Sequence, residues 1–295
     1  MTTLRYEVVA IFGPTASGKS AVARCVADAL GTDVVSADAL QIYRGLPVLT
    51  NQPTEPTLLV GVRGVDETMS VGEYAALAHE SIDSLVEHHG SAVVAGGTGL
   101  YLRAALVDLG IPRAVDAAER KRVDSLYDAD PNAAHALLAE LDAAAAEAVH
   151  VNDRRRVVRA LELAEAGSTL VPPDDRLWSE MTRRPTVIVG LQLPTEALER
   201  RIAARTDAMI RGGVADEVRR ATRRPISQTA AQALGLHELA TLPLEEARDA
   251  IVMRTRRYAA YQRKWMKRIP GIVLVDADRP VDEVADDVLD LARAR

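Results

Sequence analysis

The residues best suited to chemistry stand near the start of the chain: Gly13-Pro14-Thr15-Ala16-Ser17-Gly18-Lys19-Ser20. The pattern G-x-x-x-x-G-K-[ST] is met at every required position. Its glycines let the backbone curl so that successive N–H groups converge on phosphate oxygens. A helix starting there adds the positive end of its dipole. Lys19 supplies a full charge, and the Ser20 hydroxyl is the expected ligand for Mg²⁺. Such a loop grips a phosphate tail without saying which one, because a diphosphate leaving group and a nucleoside triphosphate are held by the same physics.

Two further segments could decide the reaction. The first is Ser36-Ala37-Asp38-Ala39-Leu40-Gln41-Ile42-Tyr43-Arg44-Gly45. An Asp at the C-terminal end of a parallel strand points into the crevice where ligands bind. It serves as a Mg²⁺-associated carboxylate, a helix cap or a general base. The second is Ala95-Gly96-Gly97-Thr98-Gly99-Leu100-Tyr101. Alone it is a turn; beside a phosphate loop it is a second donor aimed at the same oxygens.

The elements that must position these residues follow from the apolar pattern. Short apolar runs at 7–12, 34–35, 92–95, 186–191 and 272–275 read as buried strands. Helical spacing covers 20–30, ended by Gly31, then 71–89, 195–211, 227–239 and 244–266. Strands alternating with helices imply a parallel sheet. From Asp116 to Gly167 the chain holds almost only helix formers. The expected fold class is α/β: a P-loop NTPase-like parallel sheet core (1–108 and 186–295, with C-terminal helices) carrying a helical insertion domain (109–185).

Composition narrows the setting. At 295 residues with 48% hydrophobic and 26% charged side chains, the chain has the mix of an ordinary globular protein. Aromatics are 3%, so Ala, Val, Leu and Ile must build the core. Cys25 is the single cysteine, which excludes an intrachain disulfide, and its place in the first helix reads as a small buried hydrophobe. No Cys/His cluster has zinc spacing, no apolar run approaches the ~20 residues of a membrane-spanning helix, and no signal-peptide core opens the chain. A cytoplasmic location without membrane partners is expected. The net charge of −6 argues mildly against nucleic acid, yet Arg154-Arg155-Arg156 with Arg159, and 254–268, form local basic blocks. By themselves these are solvated helix faces.

The order of motifs is more specific than any one of them. The phosphate loop, the 36–45 segment, Gly96-Gly97-Thr98-Gly99-Leu100-Tyr101 and Asn152-Asp153-Arg154-Arg155-Arg156-Val157-Val158-Arg159-Ala160-Leu161-Glu162 together resemble the tRNA dimethylallyltransferase (isopentenyltransferase) family. The similarity continues through Tyr258, Gln262 and Trp265. This resemblance implies transfer of a dimethylallyl group from dimethylallyl diphosphate to N6 of adenosine-37 of tRNA, with Mg²⁺ as cofactor and a monomer as the working form. It casts Asp38 as general base, Thr98 as a hydrogen-bonding group at the reacting centre and Arg205 as a contact to the diphosphate. Substrate tRNA would meet Asp38, Ala39, Leu40, Gln41 and Thr98, while Arg120, Arg155, Arg156 and Arg159 of the insert would grip the anticodon stem-loop. The sequence departs from the family pattern at Ala39, where Ser is usual, at 56–61, where a Pro-His-His stretch is replaced, and at Ala260-Tyr261-Gln262, where Lys-Arg-Gln is expected. A small-molecule kinase on the same phosphate loop is the alternative; it would need an acceptor-hydroxyl site and an arginine-rich lid.

Overall fold

The structure, a computed structural model, describes residues 5–109, 117–171 and 176–293. In chain order the first part runs β1 (Val8–Phe12), α1 (Lys19–Leu30), β2 (Val34–Ser36), α2 (Val71–His89), β3 (Ala92–Gly96) and α3 (Gly99–Leu106). Four helices follow: α4 (Ala117–Ala129), α5 (Pro131–Leu141), α6 (Ala143–Ala148) and α7 (Arg154–Glu165). The chain then returns through β4 (Thr186–Gln192), α8 (Thr195–Arg211), α9 (Val214–Ala221), α10 (Leu236–Thr241), α11 (Leu244–Met266), β5 (Val273–Asp276) and α12 (Val281–Arg293).

The five strands form one sheet in the order β2-β3-β1-β4-β5, and every pairing is parallel. β1 is buried along its whole length, and its side chains alternate between two cores. Val8, Ala10 and Phe12 join the cluster that includes Tyr74 and Leu102, while Val9 and Ile11 join Val22, Val26 and Val288 on the other face. A strand covered on both faces must be apolar at every position, which is why β1 shows a continuous run instead of alternation. The loops after β1, β2 and β3 therefore emerge together at the C-terminal edge of the sheet, the edge where open α/β sheets bind ligands.

The chain divides into two compact units, Met1–Leu109 with Glu180–Arg295, and Gly110–Ser179. Of the expected insert, 109–185, residues 110–116 and 172–175 lie outside the described residues. Within the second unit, Val123, Leu138, Val157 and Leu161 make a small core of its own. Its helices carry explicit caps: Asp130 accepts from Asn132 N and Ala133 N, and Asp153 accepts from Arg156 N. Glu162, almost wholly buried on α7, accepts from Arg120 of α4 at 2.8 Å and from Arg159 at 2.9 Å. Burial by itself would raise the Glu162 carboxyl, but the two arginines outweigh it and hold it below the usual carboxylate range.

Two readings of the sequence are corrected here. Cys25 is exposed. The inward face of α1 is Val22, Ala23, Val26 and Ala27, and helical geometry turns position 25 away from it. The helical pattern at 227–239 is not one helix: a single 3-10 turn, Ala230–Gln232, is followed by Gly235 at φ 97° before α10 begins. A Cβ at Gly235 would lie 3.0 Å from Leu49 and 3.1 Å from Ile251, so the close approach and the left-handed turn both require glycine.

Candidate active site

The loop 13–18 links β1 to α1 and curls tightly. Ala16 and Gly18 both have positive φ, 64° and 89°, and Ser17 N donates to Pro14 O. A Cβ on Gly13 would sit 2.6 Å from Ser17 Oγ, so the curl depends on the first glycine. α1 starts at Gly18 without a side-chain cap, and α3 starts at Thr98 in the same way. An uncapped helix start leaves backbone N–H groups for a ligand. Ser17 Oγ is buried in the same loop with no protein partner.

A cavity of about 460 Å³ opens beside this loop. Thr15, Ala16, Gly18, Lys19 and Ser20 line it from one side, and Asp38, Leu40 and Gln41 from the end of β2. Arg205 enters from α8, and Thr255, Tyr258 and Gln262 from α11. Leu49, Ile202, Met209, Leu234 and Ile251 supply an apolar part of the wall, with Thr50, Asn51, Arg201 and Thr206 beside them. Lys19, at the helix start, has its ammonium drawn down to about 8, by burial first, with the Arg205 charge adding to it and Asp38 opposing it. Burial lowers Arg205 as well, against the pull of Asp38. Arg205 Nη1 donates to Thr15 Oγ1, which ties α8 to the loop. Two desolvated cations on one cavity, with the single Asp38 carboxylate acting on both, leave net positive charge for an anionic ligand.

Asp38 lines the same cavity, its Oδ1 accepting from Leu40 N at 3.0 Å. Thr98 lies behind it: Thr98 Oγ1 accepts from Ala39 N at 3.2 Å and braces the 37–41 turn. Tyr258 faces both. Its hydroxyl is pushed up by burial and then by the Asp38 carboxylate, with hydrogen bonding to Thr98 and Gln262 offsetting part of the rise. Gln41 lines the cavity, but its amide is engaged inside the protein. Nε2 donates to Asn51 O and, more weakly, to Thr50 O, while Oε1 accepts from Ser36 Oγ. It pins the 36–51 segment and keeps one lone pair for anything else.

The glycine-rich segment owes its composition to packing. A Cβ on Gly96 would come within 2.0 Å of Ala37 O, and one on Gly99 within 2.3 Å of Trp265. The ends of β2 and β3 at Gly96, and α3 and α11 at Gly99, can touch only because these positions lack side chains. In the second unit, described by itself, Arg155 and Arg156 project into solvent from α7. Arg120 and Arg159 are paired to Glu162. Sequence reasoning passed over Thr255, Tyr258 and Gln262 as site residues; their i, i+3, i+7 spacing on α11 was the available signal.

For a metal, the residues on hand are the Ser20 hydroxyl and the Asp38 carboxylate on one cavity. No group of three or more His, Cys, Asp or Glu among the described residues could hold a metal ion. That donor set fits Mg²⁺, which takes most of its ligands from phosphate oxygens and water, and does not fit an all-protein cage.

The sheet, the uncapped loop and the half-buried cations define an α/β enzyme of the P-loop-like class. The chain belongs to the IPP transferase family, whose model matches residues 41–269. It is 38% identical to the tRNA dimethylallyltransferase of Kineococcus radiotolerans, over 97% of this chain and 94% of that protein. It is 36% identical to the enzyme of the same name from Streptomyces coelicolor, over 90% and 89%. Among solved structures it is similar to the tRNA isopentenylpyrophosphate transferase of Bacillus halodurans, with a TM-score of 0.69 and 30% identity over 97% of this chain and 95% of that one. A eukaryotic dimethylallyltransferase described as acting on tRNA superposes with a TM-score of 0.76 at 25% identity, over 92% of this chain and 73% of that one.

Proposed function

We propose that this chain transfers a dimethylallyl group from dimethylallyl diphosphate to N6 of an adenosine, position 37, in the anticodon stem-loop of tRNA. The observation that carries this reading is one cavity holding two desolvated cations, a carboxylate and an apolar wall. The diphosphate lies on the uncapped start of α1, between Lys19 and Arg205. The short prenyl chain rests against Leu49, Ile202, Met209 and Ile251. A volume of about 460 Å³ falls in the usual range for small-ligand sites.

The incoming N6 lone pair attacks the allylic carbon as the carbon–oxygen bond to the diphosphate breaks. One N6 proton passes to the Asp38 carboxylate, late in the step, once attack has made that proton acidic. The charge growing on the diphosphate is met by Lys19, Arg205 and the helix start. Mg²⁺, held by Ser20 and the phosphate oxygens, would add neutralising charge. The adenine must leave its stack to reach Asp38. Phosphate contacts from Arg155 and Arg156 would position the stem-loop without reading its sequence. A cytoplasmic monomer belongs to the same reading.

The test is direct. Purified protein, labelled dimethylallyl diphosphate and unmodified tRNA bearing an adenosine beside the anticodon are incubated with Mg²⁺, and label in the tRNA is counted. Incorporation at that adenosine is the expected result. ATP turnover with no label in the tRNA would point to a kinase instead.

A further inference from the structure

Gln262 is a buried side chain that bonds to both loops of the site. It stands on α11 at 2% exposure. Its Oε1 accepts from Thr15 N at 2.8 Å, inside the phosphate loop. Its Nε2 donates to Gly97 O at 2.8 Å, in the glycine-rich turn after β3. The partners fix the orientation of the amide, since a backbone N–H only donates and a carbonyl only accepts. Each end then leads toward a reacting group. Thr15 is held a second time through its hydroxyl by Arg205. Gly97 precedes Thr98, whose hydroxyl accepts from the amide of Ala39, next to Asp38. Gly97 must be glycine for this to exist, because a Cβ there would lie 2.3 Å from Gln262 Nε2.

We infer that Gln262 is a positioning residue: a clasp that sets the distance between the loop holding the leaving group and the turn carrying the base. The inference rests on the transfer reaction proposed above. Attack on an allylic carbon requires the nucleophile and the leaving group in line, and each substrate is held by a different loop. A carboxamide suits the clasp because it carries an acceptor and a donor on one rigid plane. Leucine of similar size offers neither. A carboxylate keeps the acceptor but turns a lone pair toward Gly97 O; a protonated carboxyl restores the donor.

The experiment compares wild-type protein with Gln262→Leu and Gln262→Glu, below the melting temperature of each. Gln262→Leu should lower kcat by about 10²-fold, the scale of a misplacement of about 1 Å, with a smaller change in the KM for dimethylallyl diphosphate. Gln262→Glu should be impaired at pH 8 and recover toward wild type as the pH falls to 6, whereas Gln262→Leu should show no recovery. Wild-type kcat in Gln262→Leu, with only a lowered Tm, would overturn the inference, as would a Gln262→Glu profile parallel to that of wild type. Amide hydrogen exchange reads the clasp apart from activity. In Gln262→Leu, segments 13–20 and 96–100 should exchange several-fold faster together, and unchanged exchange would sink the clasp. If the wild-type chain transfers nothing, the proposed reaction fails, and the exchange result alone decides the clasp.

Discussion

Lys19 gives up its proton near 8 in the folded chain and near 10.5 when unperturbed. Between those values the unfolded chain binds more protons, so stability rises with pH across that window. Ligand binding runs the other way. A diphosphate beside the ammonium favours the charged form, so above pH 8 the free site must take up a proton to bind. The dissociation constant for dimethylallyl diphosphate should weaken by about tenfold per pH unit there, as one linked proton requires. Calorimetry at pH 8.5 in buffers of different ionisation enthalpy should show net uptake, and Lys19→Met should abolish it. Finding no uptake would mean that the ammonium does not sit on the diphosphate. Asp38 plays a separate part. Asp38→Asn should reduce kcat by about 10²-fold or more, the usual cost of a lost general base, while Lys19 and Arg205 stay in place to hold the diphosphate. An unchanged rate would remove Asp38 from proton transfer.

At the scale of elements, α7 makes a prediction of its own. Arg155 and Arg156 are exposed, whereas Arg120 and Arg159 are tied to the buried Glu162. Replacing Arg155 and Arg156 with Ala should raise the tRNA KM and flatten its salt slope by about 0.7–0.9 for each phosphate no longer neutralised, with diphosphate binding unchanged. Equal substitution of Arg120 and Arg159 should instead lower Tm, since it strips both partners from a buried carboxylate. Helix patterns explain why so much of this was legible. α2, α8 and α11 match their apolar spacing end to end, and α2 is closed by a Ser70–Glu73 capping box. The sequence was silent where a property belongs to packing. Nothing local shows that Gly96 faces Ala37 O, that Gln41 is consumed by the 36–51 segment, or that Gln262 spans two loops, because each partner is set by the sheet order. The 227–239 pattern misled because its periodicity is real while Gly235 breaks the backbone. α9 and α12 went unread although the signal was there: on α12 the buried Val284, Ala285, Val288, Leu289 and Ala292 recur at helical spacing, and α9 is only eight residues long.

The whole molecule joins two units that each have a core, and the junction invites a cut. Arg183 N donates to Leu106 O at 2.9 Å, so the chain re-enters the first unit within a hydrogen bond of where it left. Arg183 and Arg184 then pair with Asp83 of α2, and Arg184 also with Glu7. These bonds lie wholly within the first unit, so closing it costs little beyond the entropy of a short loop. Every residue lining the cavity belongs to that unit too. Replacing 110–179 with a short Gly/Ser linker should therefore leave a protein that unfolds in one cooperative transition and binds dimethylallyl diphosphate with close to wild-type affinity. Transfer to tRNA should fall by several orders of magnitude, and the loss should appear as tRNA binding too weak to saturate. A shortened chain that still modifies tRNA at the full rate would show that the arginines of α7 do not hold the substrate. One that no longer binds the diphosphate would show that the cavity depends on the second unit, against the closed set of bonds within the first.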